Sequence, residues 1–335
     1  MRISVIIPTF NREYIVGDAL RSAVEQTYRN FEIIVVDDGS NDGTKALVRD
    51  LGGDRVRLIV HERNCGYSAA CNTGITASEG EFIAFLDSDD LWASDYLERQ
   101  ANFLNRNPQL GGSFTDLRIT GESLGWNRQP SDSDTVSISS LVRLMRSFPV
   151  RLAPASDGSE HVIDGRHMYL CLLREVPIKP SALVVRRAPV VASGGFDEAW
   201  PSGTDWALFI KLSKIIEFGY IDAPLVVMRR TGDATHVKYR EEDQTLLLKV
   251  LSEEKRQLGK DPQALIEVNT SIAARYNELA RLALIAGRKR QAAKSYYYGF
   301  AETGNIAMIG KAAAAFLPEG ARNALRSAIR QRSAS

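Results

Sequence analysis

The chain has 335 residues, of which 44% are hydrophobic and 25% charged, and its formal net charge is +1. This length accommodates one large α/β domain and a smaller appendage, since domains commonly run to roughly 100–200 residues. The near-neutral charge excludes any bulk-charge argument for nucleic acid as a partner, and the composition is ordinary for a globular protein.

Cysteine usage and the N-terminus bear on the compartment. The cysteines, Cys65, Cys71 and Cys171, have neither the count of a disulfide framework nor paired metal-ligand spacing, which suits a reducing compartment. The chain enters a strand-like segment at Ile3 without the apolar region of a signal peptide, and no apolar stretch reaches ~18 residues. We therefore expect a cytoplasmic protein whose membrane contact, if any, is peripheral and at the inner face.

The first 115 residues alternate short β-branched apolar runs with longer segments of helical periodicity, which is typical of a parallel sheet with helical crossovers. Four strands buried on both faces are predicted, at residues 3–7, 31–36, 56–60 and 82–86. Asn11 is expected to cap the first crossover helix. The next three helices are predicted at residues 42–51, 67–77 and 93–105.

The pattern weakens from about residue 120 to 176, where loops are predicted around a short helix near residues 138–146. Regularity returns as a strand at residues 181–187, a helix at 206–216 and a strand at 220–228. Beyond residue 241 the sequence reads as almost wholly helical.

An acidic motif, Asp87-Ser88-Asp89, follows the fourth strand. Ligands collect at the carboxyl ends of strands in such sheets, and carboxylates are hard oxygen ligands that suit Mg²⁺ or Mn²⁺. A diphosphate is the natural partner of such a metal. Alternatively, the motif is an acidic loop that caps the helix beginning near Ser94.

Four segments occur in an order and spacing that resemble the nucleotide-binding half of family 2 glycosyltransferases with the GT-A fold. They are residues 3–11 (ISVIIPTFN), 31–44 (FEIIVVDDGSNDGT), 63–77 (RNCGYSAACNTGITA) and 79–91 (EGEFIAFLDSDDL). The resemblance implies an α/β fold with a Rossmann-like, mostly parallel sheet, helical crossovers and a C-terminal helical extension. It also implies three parts: a nucleotide-sugar-binding half at residues 1–118, an acceptor-binding half at 119–240 with a variable loop region at 120–180, and an extension at 241–335.

The resemblance assigns residues to the sugar donor. Pro8 and Thr9 fall where the family's first strand meets the nucleoside, and Asp38 falls where a carboxylate accepts a hydrogen bond from the base. An ionised carboxylate can only accept, which favours a base with an N–H edge, such as uracil, thymine or guanine. Asn72 falls near the ribose and diphosphate, unless it is an asparagine merely tolerated in a helix.

The same resemblance assigns the metal site and the base. Asp89 matches the usual metal ligand of the D-x-D motif and Asp87 its first carboxylate, with Mn²⁺ or Mg²⁺ as the cofactor, whereas Asp90 is expected to hold the turn. Asp205 matches the general base that deprotonates the acceptor hydroxyl, although it could instead be the N-cap of its helix. Thr204 departs from the family's usual Glu, which affects acceptor preference more than reaction type.

Two more elements surround these residues. Asp197 and Glu198, in the segment Gly194-Gly195-Phe196-Asp197-Glu198, are expected to stabilise their loop. After the last strand, Arg229 is assigned to the diphosphate and His236 to the metal, unless His236 is an ordinary loop histidine.

The C-terminal segment 286–335 carries nine Lys or Arg residues against two Glu. Arg322, Arg326 and Arg330 recur every four residues beside an apolar face, which predicts a basic amphipathic helix. Such a helix either binds an anionic membrane surface or docks on the protein with its arginines in water.

These assignments predict an inverting glycosyltransferase. It would move a sugar from a nucleoside-diphosphate sugar, with UDP-type donors favoured, to a hydroxyl of a glycan or lipid-linked acceptor in surface polysaccharide or glycoconjugate synthesis. The alternative is a catalytically idle sugar-nucleotide-binding module. An NAD-dependent oxidoreductase is disfavoured because no G-x-G-x-x-G follows the first strand.

Overall fold

The computed structural model describes residues 1–120, 136–137, 153–154, 159–176, 178–200, 203–229 and 240–318. The chain divides into two compact units, Met1–Tyr239 and Arg240–Ser335. Among the described helices, none is both long and apolar enough to cross a membrane.

The first unit is built on one mixed sheet. Its described strands are β1 (Ile3–Thr9), β2 (Phe31–Asp37), β3 (Val56–Val60), β4 (Phe82–Phe85), β5 (Asp90–Trp92), β6 (Gly112–Thr120), β7 (Val136–Ser137), β8 (Ala153–Pro154), β9 (Glu160–Ile163), β10 (Leu183–Arg186) and β11 (Phe218–Arg229). Its described helices are α1 (Val16–Val24), α2 (Thr44–Gly52), α3 (Tyr67–Ala77), α4 (Tyr96–Arg106), α5 (Gly165–Arg174), α6 (Arg187–Ala192) and α7 (Thr204–Ser213).

The strand order is β3-β2-β1-β4-β10-β6-β11-β9-β8, with β5 and β7 pairing onto β11 and β6. β1 is parallel to β2 and β4, β2 to β3, and β6 to β11. β10 runs antiparallel between β4 and β6. This arrangement confirms the predicted α/β class with a mostly parallel sheet and helical crossovers.

The core lies on both faces of the central strands. Every residue of β1 and β4 is buried, which agrees with their nearly continuous apolar sequences. The prediction is wrong for β3, whose residues are only partly buried and whose Val60 is 41% exposed. Among the described strands, β3 pairs with β2 alone, and an edge strand is covered less completely than a central one.

The first crossover begins later than predicted, because Asn11 does not cap it. α1 starts at Val16, whereas Asn11 has a left-handed backbone (φ 51°) and accepts a hydrogen bond from the Asn41 amide at 2.8 Å. Its own amide donates to the Ser40 hydroxyl at 2.8 Å. Asn11 therefore joins the loops that follow β1 and β2. The predicted helix at residues 138–146 lies outside the described residues.

The second unit confirms the predicted C-terminal helical extension. Its described helices are α8 (Arg240–Gln257), α9 (Pro262–Ile285), α10 (Lys289–Thr303) and α11 (Ala307–Ala314). Asp261 caps α9 by accepting from the Ala264 amide, and Gly304 ends α10 in the left-handed conformation. One hydrophobic cluster of the unit consists mainly of alanines around Tyr296 and Met308, which allows close helix packing.

Candidate active site

The carboxyl ends of β1, β2 and β4 meet around a cavity of about 690 Å³, which we call the rim cavity. Parallel strands bring these ends to one edge of the sheet. Three residues predicted to contact the sugar donor line the cavity: Pro8, Thr9 and Asp38. Tyr67 and Ser88 line it as well. The edge of the sheet at which the sequence predicts ligand binding thus carries a cavity.

Thr9 ends β1 at the wall of this cavity. Its side-chain hydroxyl is buried and has no hydrogen-bond partner among the described residues, and the same holds for Oδ1 of Asp37. The two residues are register partners in the parallel pair β1–β2. A buried polar group without a partner costs about 1–3 kcal/mol, so a bound molecule that supplies a partner to Thr9 is favoured here.

Asp38 is held rigidly beneath the cavity. Its carboxylate accepts hydrogen bonds from the backbone amides of Cys65 at 2.8 Å and Gly66 at 2.7 Å, and it contacts His61 Nδ1 at 2.7 Å. His61 Nε2 lies 2.9 Å from the Thr73 hydroxyl. A carboxylate with about four acceptor positions keeps one free for a ligand.

The role of His61 was missed by sequence reasoning. Because the ionised carboxylate of Asp38 can only accept, Nδ1 carries the proton and donates it to Asp38, while Nε2 lies within hydrogen-bond distance of the Thr73 hydroxyl. The available signal was its position directly after β3, since polar residues at strand ends reach the same edge.

The acidic motif places one carboxylate oxygen each of Asp87, Asp89 and Asp90 within 4.8 Å of one another. Burial raises the pKa of Asp87 to about 7, with a further contribution from the charge of Asp89. The Tyr67 hydroxyl donates to Asp87 at 2.9 Å. Three crowded carboxylates repel one another, and a nearby cation relieves that repulsion.

Asp90 is engaged by the protein, in agreement with its predicted role in the turn. It is buried, accepts a hydrogen bond from the Ser181 hydroxyl at 2.6 Å and contacts the Arg229 amide at 3.3 Å. Burial and the charges of Asp87 and Asp89 raise its pKa well above the usual value. Asp87 and Asp89 are therefore the members of the motif best suited to hold a metal.

These two carboxylates fit a hard divalent cation such as Mn²⁺ or Mg²⁺, because both offer oxygen ligands next to a cavity. A protein cation contacts one of them: Nη2 of Arg12 is 3.7 Å from Oδ2 of Asp89. Arg12, which also lines the rim cavity, was missed by sequence reasoning although it follows β1 by three residues. His236, the third predicted ligand, lies outside the described residues.

Asn72 holds the Gly194–Glu198 loop. Its Nδ2 donates to the Phe196 carbonyl at 2.9 Å and to Glu198 at 2.7 Å, and its Oδ1 accepts from the Phe196 amide at 2.9 Å. Gly195 has φ 66°, and a Cβ there would lie 2.5 Å from Oδ1 of Asn72. These contacts indicate that Asn72 positions the loop, and they disfavour its predicted contact with ribose and diphosphate.

Asp205 occupies the second position of α7, and it is not the N-cap. Gly203, with φ 74°, precedes the helix in the left-handed conformation and is the cap residue. Thr204, the departure from the family pattern, is buried and its hydroxyl lies 2.9 Å from that of Ser68 on α3. The alternative interpretation of Asp205 as a helix cap is therefore wrong, which leaves its carboxylate available for chemistry.

The charge of Asp205 affects the pKa values of two groups at the acidic motif. It adds to the raised pKa of Asp87, which is caused chiefly by burial and the charge of Asp89. It also adds to the raised pKa of Tyr67, whose largest cause is again burial. Electrostatic effects of this kind fall off with distance, and the neighbouring Thr204 contacts Ser68, which lines the rim cavity. The helix that carries Asp205 therefore begins beside that cavity.

Arg229 makes contacts that favour a structural role over the predicted contact with diphosphate. Its guanidinium donates to the Asp89 carbonyl at 2.6 Å, to Asp18 at 2.9 Å and to the Ile15 carbonyl at 3.4 Å. The side chain is 3% exposed. A buried guanidinium paired with a carboxylate is costly to pull away, so Arg229 fixes the loop that carries the acidic motif.

Comparisons with known proteins agree with this geometry. Residues 4–152 match the model of the family described as glycosyl transferase family 2. A 105-residue segment is 38% identical to the Escherichia coli protein WfgD, a UDP-Glc:alpha-D-GlcNAc-diphosphoundecaprenol beta-1,3-glucosyltransferase, and covers 31% of this chain and 42% of WfgD. The chain thus spans less than half the length of this curated relative.

Two solved structures share the fold over most of the chain. S. aureus TarS 1–349 in complex with UDP-GlcNAc superposes with a TM-score of 0.56 at 17% identity, covering 93% of this chain and 90% of TarS 1–349. The mannosyltransferase PcManGT from Pyrobaculum calidifontis, in complex with GDP-Man and Mn²⁺, gives a TM-score of 0.52 at 20% identity, covering 93% and 86%. The chain has the GT-A fold, and its residues 4–152 are similar in sequence to the family 2 glycosyltransferases.

Proposed function

We propose that this protein is an inverting glycosyltransferase that moves a sugar from a nucleoside-diphosphate sugar, of UDP type, to a hydroxyl of a glycan or lipid-linked acceptor. The observation that carries the proposal is the convergence of three groups at one edge of the sheet. Asp38 lies beneath the rim cavity, Asp87 and Asp89 form an acidic pair beside it, and the charge of Asp205 reaches that pair.

The nucleoside end of the sugar donor would bind in the rim cavity. Asp38 keeps an acceptor position that suits the N–H edge of uracil, while the Thr9 hydroxyl, which has no partner within the described part of the chain, offers a further polar contact. The donors of two similar proteins have bases with such an edge, UDP-GlcNAc with TarS and GDP-Man with PcManGT. WfgD is also named for a UDP-linked sugar, which is why we favour UDP.

The diphosphate would lie against Asp87 and Asp89, which would hold Mn²⁺ or Mg²⁺. When bound, the cation supplies positive charge for the negative charge that develops on the leaving diphosphate. Tyr67 orients Asp87 through its 2.9 Å hydrogen bond. Arg12, beside Asp89, contributes a second positive charge at the same edge.

Asp205 would act on the acceptor. Its position in the first turn of α7 sets the carboxylate on a rigid element. As the acceptor oxygen attacks the anomeric carbon, its proton passes to Asp205, the new C–O bond forms, and the bond to the diphosphate breaks on the opposite face. A single displacement of this kind inverts the anomeric configuration. The acceptors we propose belong to surface polysaccharide or glycoconjugate synthesis.

Thermal unfolding in the presence of nucleoside diphosphates tests the choice of donor. In Mn²⁺, UDP should raise the melting temperature of the protein, whereas ADP and CDP, whose bases lack the ring N–H of uracil, should raise it much less. A ligand that binds only the native state at a hundredfold excess over Kd stabilises it by ~2.7 kcal/mol. Equal stabilisation by ADP and UDP, or none by any diphosphate, would contradict the proposal.

His61 gives a prediction for base recognition. His61→Ala removes the side-chain hydrogen bond that orients Asp38, so we expect UDP affinity to fall roughly tenfold, since a hydrogen bond to a charged group is worth ~1.5 kcal/mol. His61→Asn returns a donor near the Nδ1 position and should lose less. Calorimetric titration with UDP measures both. His167→Ala is the matched control, because His167 pairs with Asp164 in the same way outside the rim cavity; an equal loss in that variant would exclude a specific role for His61.

A further inference from the structure

The second unit exposes an unusual share of its apolar side chains in one segment. Thirteen large hydrophobic side chains are exposed in the described part of the chain, and six of them lie within residues 297–317. We call these six the α10–α11 surface: Tyr297, Tyr298, Ile306, Ile309, Phe316 and Leu317. Scattered exposed apolar residues are normal, whereas a concentration in one short segment indicates a binding surface.

Packing fixes which side of α11 is exposed. Met308 is fully buried and Ala315 nearly so, while Ile309 and Phe316 remain 46% and 56% exposed. A Cβ at Gly299 of α10 would lie 2.3 Å from Cε of Met308, so the glycine lets α11 approach closely. Lys311 also donates to Asn277 of α9 at 2.8 Å. α11 is therefore packed against α9 and α10 through its buried side, and the apolar side chains on its other side remain exposed.

Positive charge accompanies the α10–α11 surface. On α10 the exposed residues Arg290, Lys294 and Tyr297 are spaced by four and three positions and so share one side of the helix. Glu302 is the only acidic residue from 286 to 318, and its carboxylate accepts hydrogen bonds from Ser252 and Tyr276. The sequence after residue 318 is also basic, with four arginines against one glutamate.

We propose that the α10–α11 surface binds the anionic surface of a lipid bilayer. Aliphatic side chains and tyrosines next to exposed cations are the composition of helices that lie in the headgroup region, where rings and aliphatic groups enter and cations contact lipid phosphates. Each cation near an anionic leaflet strengthens binding roughly fivefold. A lipid-linked acceptor would be presented at such a surface, but the binding itself requires no transfer chemistry.

Vesicle co-sedimentation of the full chain, without sugar donor or acceptor, tests the proposal. The protein should bind phosphatidylcholine vesicles that contain phosphatidylglycerol, bind pure phosphatidylcholine weakly, and detach as salt is raised. Ile309→Ser with Phe316→Ser should lower binding about tenfold or more, because both side chains lose apolar area. Arg290→Gln with Lys294→Gln should lower it roughly 25-fold, which is about fivefold for each cation.

The matched control is Ile266→Ser, which removes a side chain 63% exposed on α9 of the same unit and should leave binding unchanged. Unaltered melting temperatures and UDP affinities show that the variants fold, and they keep this test separate from that of the transferase. The proposal is overturned if the unsubstituted protein does not bind anionic vesicles, or if Ile309→Ser with Phe316→Ser binds them as tightly as the Ile266→Ser control. It is also overturned if deletion of residues 319–335 alone removes all binding. A self-association that the same pair of substitutions dissolves would identify the surface as an interface between copies.

Discussion

Asp89→Ala is expected to abolish metal-dependent binding of UDP. Its carboxylate lies within 4.8 Å of that of Asp87, next to the rim cavity, and its side chain is 20% exposed, so it can reach both a cation and solvent. Loss of a partner that merely orients a metal ligand costs ~10–100-fold in affinity. Loss of one of two proposed carboxylate ligands should therefore exceed roughly a hundredfold.

Calorimetric titration with UDP, in Mn²⁺ and in chelator, measures this effect. The parent should lose affinity on chelation, whereas Asp89→Ala should bind weakly in both conditions. Asp50→Ala removes the same charge from an exposed position on α2 and should behave as the parent. If Asp89→Ala binds UDP in Mn²⁺ as tightly as the parent does, the metal assignment is wrong.

The sheet of the first unit could be predicted from local patterns, because runs of β-branched apolar residues specify buried strands. β1, β2 and β4 agree with this rule. The antiparallel strand β10 was predicted as a strand, yet its place between β4 and β6 depends on pairings between residues 69 to 104 positions apart in sequence. Apolar periodicity does not encode such pairings.

In the candidate site, too, local sequence patterns predict some features, whereas others depend on contacts between residues far apart in the sequence. Motif position located Asp38 and Asp87, since strand ends share an edge. The partners of Asn72 and Arg229 lie far away in the sequence, in the Gly194–Glu198 loop and at Asp18, and a single sequence carries no record of these contacts. Polar residues in a resembling motif were therefore assigned to a ligand when the fold gives them protein partners.

Asp205→Asn is expected to separate binding of the sugar donor from transfer. The substitution keeps the size and polarity of the side chain but removes the proton acceptor. Because Gly203 is the residue that precedes α7 as its cap, the helix should lose only a favourable charge in its first turn, worth ~0.3–1 kcal/mol. UDP and Mn²⁺ affinity should change little, since the Asp38, Asp87 and Asp89 contacts remain.

The rate of transfer should fall by roughly 10²–10⁴-fold, the usual contribution of a general base. Single-turnover transfer at saturating sugar donor is the measurement, with UDP affinity determined in parallel. Asp197→Asn is the comparison, because Oδ1 of Asp197 already accepts from the Ala199 amide at 3.0 Å, and it should transfer at nearly the parental rate. If Asp197→Asn lost transfer while Asp205→Asn kept it, the general base would instead be Asp197, in the Gly194–Glu198 loop. A parent that binds UDP but transfers to no acceptor would instead favour the idle binding module.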